Sequence, residues 1–251
     1  MDFLEAGNAV AAIDAEHGGR LAQLTIDGRP VLADGGPDWA PMAWGCYPMV
    51  PYAGRVRHGE FWVQERLVQL PVTMPPHAIL GTGYLRAWER TGDGTYRTEL
   101  GPDWPWAGAA RSRFELTPGS LTWELSVEPT ETPFPAQVGW HPWFRKPQRL
   151  EFTARQMYRR DDEGIPDGSL VAVPEGPWDD CFVGVETPVR LHWEGLSLAV
   201  DSDCTHWVVY DEQDRATCVE PQSGPPDGFN LAPVMAEPGL PVRHTMTWTW
   251  H

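Results

Sequence analysis

Apolar and polar residues alternate along many short segments of this chain. Over residues 245–250, Met and Trp occupy one set of alternate positions and Thr occupies the other. Residues 120–128 alternate in the same way, with Leu, Trp, Leu and Val on one side. Because successive side chains of a strand point to opposite faces, this period of two predicts half-buried β-strands.

Turn sequences join several of these segments and predict hairpins. The sequence Thr-Pro-Gly-Ser at 117–120 separates two alternating segments, and Glu-Gly at 194–195 and Asp-Gly at 27–28 do the same elsewhere. Further strands are predicted over 61–70 and 207–210, and no segment indicates a helix longer than two or three turns. Many short strands at close spacing favour a large antiparallel β-sandwich or barrel.

The composition supports this fold class. The 251 residues include 25 Gly and 26 Pro, and each Pro in a helix interior costs about 3 kcal/mol. Strand-like segments extend from one end to the other without a low-complexity linker. We therefore predict an all-β protein with few short helices, in which residues 1–251 form a single domain.

Charge narrows the class of partner. The chain has 19 Lys and Arg against 35 Asp and Glu, which gives a net charge of −16. Such a surface repels nucleic-acid phosphates and anionic lipids, so neither nucleic acid nor a membrane is expected as a partner. No signal peptide and no apolar run of about 18 residues is visible, which predicts a cytoplasmic location. The four cysteines lack zinc-site spacing and are expected to be buried thiols.

Three segments place a titratable side chain beside Pro, Gly and aromatic residues. The side chains are Arg55, His141 and Glu220. Rigid and partly desolvating surroundings of this kind move the pKa values of acids and bases towards neutrality. Taken alone, each residue also has an ordinary interpretation, as a surface arginine, a histidine at a strand end or a solvated glutamate.

In chain order, these segments resemble the motifs of the aldose 1-epimerases, also called galactose mutarotases. The matching segments are Gly54-Arg55, Leu80-Gly81 with Trp88, His141-Pro142-Trp143-Phe144, Trp178-Asp179-Asp180-Cys181-Phe182, and Glu220-Pro221 continuing to Asn230. The resemblance extends over nearly the whole chain, and its last three motifs are fairly specific. It implies the large antiparallel β-sandwich of the galactose mutarotases, with the site in an open cleft on one sheet.

The resemblance also implies a reaction on a monosaccharide and a role for each residue. Anomers interconvert when the C1–O5 bond opens, C1 rotates about the C1–C2 bond, and the ring closes on the other face. By resemblance, Glu220 takes the proton of the anomeric hydroxyl and His141 gives a proton to the ring oxygen. Arg55 and Asp179 would bind sugar hydroxyls, with Asp180 in place of Asp179 if the register differs by one. No metal and no other cofactor is implied.

Two positions depart from the family pattern. Gly54 stands where family members have Asn before the arginine, and Leu80 stands where they have His before the glycine. His77 is expected to supply the missing imidazole as a substrate-binding residue if its loop turns back. Because residues i and i+3 of a regular strand face opposite sides, that expectation requires a bent segment.

Two other classes of function stay open at this point. A sugar-binding module without catalysis is favoured by Leu80 and disfavoured by the intact Glu220 and His141. A carbohydrate hydrolase would use Glu220 and Asp179 as paired carboxylates, about 5–9.5 Å apart. Within the epimerase interpretation, a phosphorylated sugar is favoured only if three arginines converge on one point. These arginines are Arg55, Arg57 and Arg86.

Overall fold

The computed structural model describes residues 1–35 and 40–251, which form mainly β-strands. In chain order the strands are β1 (Asp2–Ala6), β2 (Ala9–Asp14), β3 (Arg20–Ile26), β4 (Arg29–Pro30), β5 (Cys46–Met49), β6 (Arg55–Val56), β7 (Glu60–Val63), β8 (Arg66–Gln69), β9 (Ala78–Ile79), β10 (Glu89–Gly92), β11 (Thr95–Glu99), β12 (Gly108–Thr117), β13 (Ser120–Pro129), β14 (Phe134–Pro135), β15 (Gly139–Arg145), β16 (Arg149–Glu151), β17 (Ala154–Arg160), β18 (Pro166–Val171), β19 (Asp179–Val185), β20 (Val189–Trp193), β21 (Leu196–Ser202), β22 (His206–Tyr210), β23 (Ala216–Gln222), β24 (Met235–Ala236) and β25 (Val242–Trp250). The helical segments of the described residues are α1 (Gly228–Leu231) and two 3-10 turns, Arg57–Gly59 and Gly83–Leu85.

Two large sheets contain most of these strands. The first, called the site sheet below, has eleven strands in the order β1-β2-β3-β5-β15-β23-β22-β19-β17-β18, with β4 beside β3. The second, called the covering sheet, has eight strands in the order β10-β11-β12-β13-β25-β21-β20-β16. Three two-stranded pairs, β6–β9, β7–β8 and β14–β24, lie outside both sheets.

The two sheets pack against each other around a large apolar core. Trp140 of β15 contacts Trp123 of β13 with ring centroids 6.4 Å apart, and Phe144 of β15 contacts Trp248 of β25 at 4.8 Å. Because side chains alternate along a strand, the orientation of Trp140 and Phe144 towards the core leaves His141 on the opposite face of the site sheet.

The predicted fold class is confirmed. Turns at 27–28, 117–120 and 194–195 join β3 to β4, β12 to β13 and β20 to β21, so all three hairpins are present. The C-terminal alternation lies within β25, and residues 61–70 contribute to the β7–β8 hairpin. All four cysteines are buried and unpaired. In the described parts of the chain, no helix is both long enough and apolar enough to cross a membrane.

Candidate functional site

The antiparallel register of the site sheet brings a histidine and a glutamate to neighbouring positions. Trp143 of β15 lies opposite Cys218 of β23, so two residues further along the strands His141 lies opposite Glu220. On its other side His141 pairs with Tyr47 of β5. Directly opposed residues have Cβ atoms about 4.5–5.5 Å apart on one face of a sheet. The pairing of β15 with β23 therefore determines that these two side chains meet.

His141 and Glu220 are in direct contact and almost fully buried. Nε2 of His141 lies 3.3 Å from Oε1 of Glu220, and the two residues are 7% and 2% exposed. The imidazole ring stacks on Tyr47 and on Trp143, with centroid distances of 4.8 and 5.3 Å. These aromatic contacts restrict the plane of the ring and keep Nε2 directed at the carboxyl group.

Burial shifts the pKa values of this pair in opposite directions. Removal from water lowers the pKa of His141 from 6.5 to about 3, and the positive charge of Arg20 adds to the effect. Removal from water raises the pKa of Glu220 well above its usual value, and the charge of Asp179 adds to it, whereas a hydrogen bond from Gln222 acts in the opposite direction. Both shifts favour uncharged forms. The favoured state is therefore a carboxylic acid beside a neutral imidazole.

A cavity of about 360 Å³ lies over the pair. Its volume is within the range of about 300–1,000 Å³ that is usual for small-molecule sites. Part of the wall is apolar and aromatic, with Tyr47, Trp143, Ile79 and Leu80 among its residues. Such side chains pack against the apolar faces of a small molecule, whose polar groups need partners elsewhere in the wall.

Charged side chains from three strands provide those polar partners. Arg55 of β6, Arg160 of β17, and Asp179 and Asp180 of β19 all line the cavity. Arg160 donates from Nη1 to Oδ2 of Asp179 at 3.0 Å, and its Nε lies 2.9 Å from Oδ1 of Asp180. Nη2 of Arg55 lies 3.8 Å from the same Oδ2 of Asp179. The wall therefore offers guanidinium donors and carboxylate acceptors in one compact network.

Comparison with known proteins identifies the family. The family model described as aldose 1-epimerase matches residues 3–249. The chain belongs to the aldose 1-epimerase family. Its fold is similar to that of galactose 1-epimerase from Lactobacillus acidophilus, with a TM-score of 0.82, 18% identity, and coverage of 99% of this chain and 93% of that one. A galactose mutarotase-like protein from Clostridium acetobutylicum gives a TM-score of 0.84, 14% identity, and coverage of 99% and 94%.

A curated relative is more similar in sequence over a shorter length. The uncharacterized protein YphB of Escherichia coli K12 is 30% identical over 149 residues. This alignment covers 52% of the present chain and 47% of YphB. The chain thus aligns with about half the length of this relative, whereas the similarity to solved structures extends over the whole fold.

Within this family fold, four of the five predicted site residues line the same cavity. They are Arg55, His141, Asp179 and Glu220, and they come from four different strands, β6, β15, β19 and β23. Asp180, the alternative to Asp179, lines the cavity as well. The structure thus brings together residues that are far apart in sequence, while their roles towards a substrate stay predictions.

The fifth predicted residue, His77, is not among the residues that line the cavity. The backbone N–H of His58 donates to Nδ1 of His77 at 3.2 Å, and Nε2 lies 3.2 Å from the carbonyl oxygen of Glu163. The ring also stacks on that of His58. Because both ring nitrogens contact backbone atoms elsewhere, the loop does not turn this imidazole towards the cavity as expected. His77 instead supports the turn of the β17–β18 hairpin, whose residues Gly164 and Pro166 line the cavity.

The three arginines required for a phosphate site do not converge. Arg57 pairs with Asp161 at the turn of the β17–β18 hairpin, and Arg86 pairs with Asp103. Of the three, Arg55 alone lines the cavity. This dispersed arrangement removes the argument for a phosphorylated sugar.

The two departures from the family pattern have different structural consequences. Gly54 has a φ of +63°, and a Cβ atom there would lie 2.9 Å from Cβ of Pro226, so this backbone position accepts glycine alone without strain. Leu80 has a φ of +64° and is buried in the cavity wall. A left-handed conformation costs an ordinary residue about 1–2 kcal/mol. At the family's histidine position, this chain therefore has an apolar side chain in a strained conformation.

Sequence reasoning missed several residues of the cavity wall, among them a glutamine and an arginine beside predicted site residues. Gln222 follows Glu220 by two positions on β23, so the period of a strand already places both on one face. Arg160 lines the cavity because β17 pairs with β19, which carries Asp179. No local pattern marks Arg160, since its position depends on pairing between distant segments.

Two clusters in the described residues have the composition of metal sites. They are His141 with Cys218 and Glu220, and Asp203 with Cys204 and His244. In the first cluster, burial raises the pKa of the Cys218 thiol and disfavours the thiolate that binds metals. Its histidine and glutamate also contact each other directly.

Proposed function

We propose that this protein is a cofactor-independent aldose 1-epimerase that interconverts the α and β anomers of a neutral monosaccharide. The observation that carries the proposal is the 3.3 Å contact between His141 and Glu220 at the floor of the cavity. Membership of the family supports the same activity. Arg55 supplies donors and Asp179 supplies acceptors for hydroxyl groups of the bound sugar.

The reaction needs a base and an acid that exchange roles. Glu220 takes the proton of the anomeric hydroxyl while His141 gives a proton to the ring oxygen, and the C1–O5 bond breaks to leave an open-chain aldehyde. Rotation about C1–C2 and return of both protons closes the ring as the other anomer. The number of protons on the pair is unchanged, because Glu220 gains one when His141 loses one.

The pKa shifts define how this cycle begins. Burial favours the proton on Glu220, whereas the ring-opening step starts with the proton on His141. Transfer from Oε1 of Glu220 to Nε2 of His141, across their direct contact, forms the reactive carboxylate and imidazolium. Hydroxyl groups of the sugar that donate to the carboxylate stabilise this ionised form. Each of the two proton transfers contributes about 10²–10⁴-fold to the rate.

The charges of the cavity favour a neutral substrate. Arg160 is paired with Asp179 and Asp180, and Arg55 lies near Asp179. Neither guanidinium is left without a carboxylate partner, so a phosphate group would have to compete with those carboxylates. The same contacts disfavour the hydrolase interpretation, because two arginines hold the Asp179 carboxylate that would have to act beside Glu220.

NMR exchange spectroscopy and polarimetry of freshly dissolved α-D-glucose and α-D-galactose test the proposal. The wild-type protein is expected to accelerate equilibration of at least one of them. Glu220→Gln and His141→Gln are each expected to lose at least about 10²-fold of the acceleration, because each removes one proton-transfer group. Glu186→Gln makes the same chemical change at an exposed position after β19 and serves as the matched control.

The outcomes separate the alternatives. Equal acceleration by wild type and Glu220→Gln would show that Glu220 is not the base. No acceleration of any sugar in a panel of neutral hexoses, pentoses and deoxy sugars would refute the epimerase activity. Sugar binding detected in that case by saturation-transfer NMR would indicate a binding module, the second candidate, which the apolar Leu80 in the cavity wall favours.

A further inference from the structure

The carboxyl group of Glu220 has a second buried neighbour besides His141. Nε2 of Gln222 donates to Oε2 of Glu220 at 3.3 Å, while Oε1 of the same carboxyl group faces His141. Gln222 is completely buried and lines the cavity. Each oxygen of the glutamate is therefore in contact with one polar side chain.

The other end of the Gln222 amide has no partner among the residues that the structure describes. Its Oε1 is buried and accepts no hydrogen bond. A buried acceptor without a hydrogen-bond partner destabilises the fold, so such an atom calls for an explanation. Gln137, another buried glutamine, shows the usual arrangement: its Oε1 accepts from the N–H of Ala53 and its Nε2 donates to the carbonyl of Pro225. Two partners fix the Gln137 amide, whereas in the described part of the chain the Gln222 amide is held by Glu220 alone.

An amide in this position can serve two forms of its neighbour. Its NH2 group donates to a carboxylate, and its carbonyl oxygen accepts from a carboxylic acid. Rotation by 180° about the last side-chain torsion exchanges the two groups, and the two ends of an amide are nearly equal in shape. In the epimerase cycle Glu220 passes repeatedly between these two forms.

We propose that Gln222 is a positioning residue that holds Glu220 in both of its protonation forms, donating to the carboxylate and, after rotation of the amide, accepting from Oε2 when that oxygen carries the proton taken from the anomeric hydroxyl. This inference rests on the proposed epimerase function. The bond that Gln222 makes to the carboxylate is charge-assisted and about twice as strong as the one it makes to the acid. Gln222 therefore makes Glu220 a stronger acid than burial alone would.

The other titratable groups around Glu220 are present in both the wild type and a Gln222 variant. They are His141 on β15, Asp179 and Cys181 on β19, Arg55 on β6, Cys46 and Tyr47 on β5, and Cys218 on β23. His206 of β22 lies opposite Gln222 in the sheet. Since these groups are common to wild type and variant, a difference in titration between the two reports on Gln222.

Gln222→Met tests the inference because methionine has a similar length and no hydrogen-bonding amide. In the complete protein, kcat is expected to fall roughly tenfold at the pH values where Glu220 is protonated, and the alkaline limb of the kcat–pH profile is expected to move up by about one pH unit. At higher pH the rate should recover towards that of the wild type. A role in packing alone would lower the rate equally at every pH.

A second readout does not depend on turnover. The carboxylic acid band of Glu220 in infrared difference spectra, assigned with Glu220→Gln, gives the titration of this group directly. It should move to higher pH in Gln222→Met and stay unchanged in the control Gln23→Met. Gln23 lies on β3 of the site sheet, and its Nε2 donates to the carbonyl oxygen of Leu32 and to Oδ1 of Asp34. It is not among the cavity residues. Gln222→Leu replaces Gln222→Met if the latter does not fold.

An unchanged titration of Glu220 in the folded variant would overturn the inference, and so would a loss of kcat that is uniform with pH. If wild type fails to accelerate any sugar while the Glu220 band still moves in Gln222→Met, the epimerase proposal fails and the coupling of Gln222 to Glu220 is supported. If wild type is active and the band does not move, the epimerase proposal stands and the role of Gln222 is refuted.

Discussion

His141 should make the stability of this protein sensitive to acid. Its pKa falls from 6.5 to about 3 on burial, so between these values the unfolded chain binds a proton at this side chain and the folded protein does not. A group whose pKa is lowered on folding contributes stability that is complete above its unfolded pKa. That stability is lost as the pH falls towards the folded pKa. We predict that His141→Gln removes this acid-sensitive part of the free energy of unfolding.

The magnitude follows from the two pKa values. Each unit of pKa difference corresponds to about 1.4 kcal/mol, so at pH 4 the proton on the unfolded chain lowers the free energy of unfolding by up to about 3 kcal/mol. Glu220 supplies no compensating charge at that pH, because its raised pKa keeps it protonated. The nearby cation acts in the same direction: Arg20 lies 5.4 Å from the ring of Tyr47, on which His141 stacks.

Urea unfolding at pH 7 and pH 4 measures the effect. Between pH 7 and pH 4, the free energy of unfolding of wild type should fall by up to about 3 kcal/mol more than that of His141→Gln. Any packing defect of the variant cancels in this comparison, because it is the same at both pH values. The control is His251→Gln, which makes the same change at the exposed C-terminus and should follow wild type. Parallel losses in His141→Gln and wild type would refute the assignment of a buried, neutral imidazole.

Three further changes have defined outcomes. Burial raises the pKa of Glu220, so ionisation of this residue destabilises the fold as the pH rises above the unfolded value near 4.5. The melting temperature of Glu220→Gln should therefore exceed that of wild type by more at pH 8 than at pH 5. An equal difference in melting temperature at the two pH values would contradict this prediction. Arg57→Gln removes ion pairs to the β17–β18 hairpin and should raise KM by up to about fivefold with little change in kcat, as steady-state kinetics would show. Leu80→His places a donor in the cavity wall at a left-handed position that histidine tolerates better than leucine, and KM for an accepted sugar should fall by about two- to tenfold.

The parts of the fold that could be predicted from sequence are those set by the alternation of apolar and polar residues along single segments. Alternation along 120–128 and 245–250 predicts one apolar side for each strand, and Trp123 and Trp248 on those sides are fully buried. A period of two depends on neighbouring residues alone, so a single segment is sufficient to detect it. The turns at Gly- and Pro-rich dipeptides are local for the same reason. Which strands pair within the two sheets is not encoded in any one segment, and only the family resemblance selected the sandwich over the barrel.

In the candidate site, too, some residues could be predicted from local sequence and others depend on distant parts of the chain. The resemblance selected His141 and Glu220, and strand period alone would have added Gln222. Arg160 lines the cavity through the pairing of β17 with β19, which no short segment reveals. The prediction for His77 depended on the conformation of its loop, which sequence patterns do not give. In the structure this loop directs the His77 ring to the backbone of the β17–β18 turn. Side chains positioned by strand period were therefore accessible from sequence, whereas those positioned by loops and distant pairing were not.

The packing of the core also determines where the acid and the base lie. A slip of one residue between β15 and β23 would turn every side chain of β15 to the other face, so Trp140 would enter the cavity and His141 would enter the core. Trp140 is completely buried against Trp123, and loss of a large aromatic side chain from a core costs about 3–5 kcal/mol. Transfer of the imidazole to an apolar core would add the cost of an unpaired polar group. The apolar face of β15 thus opposes the slip, and the same alternation that builds the core holds His141 opposite Glu220.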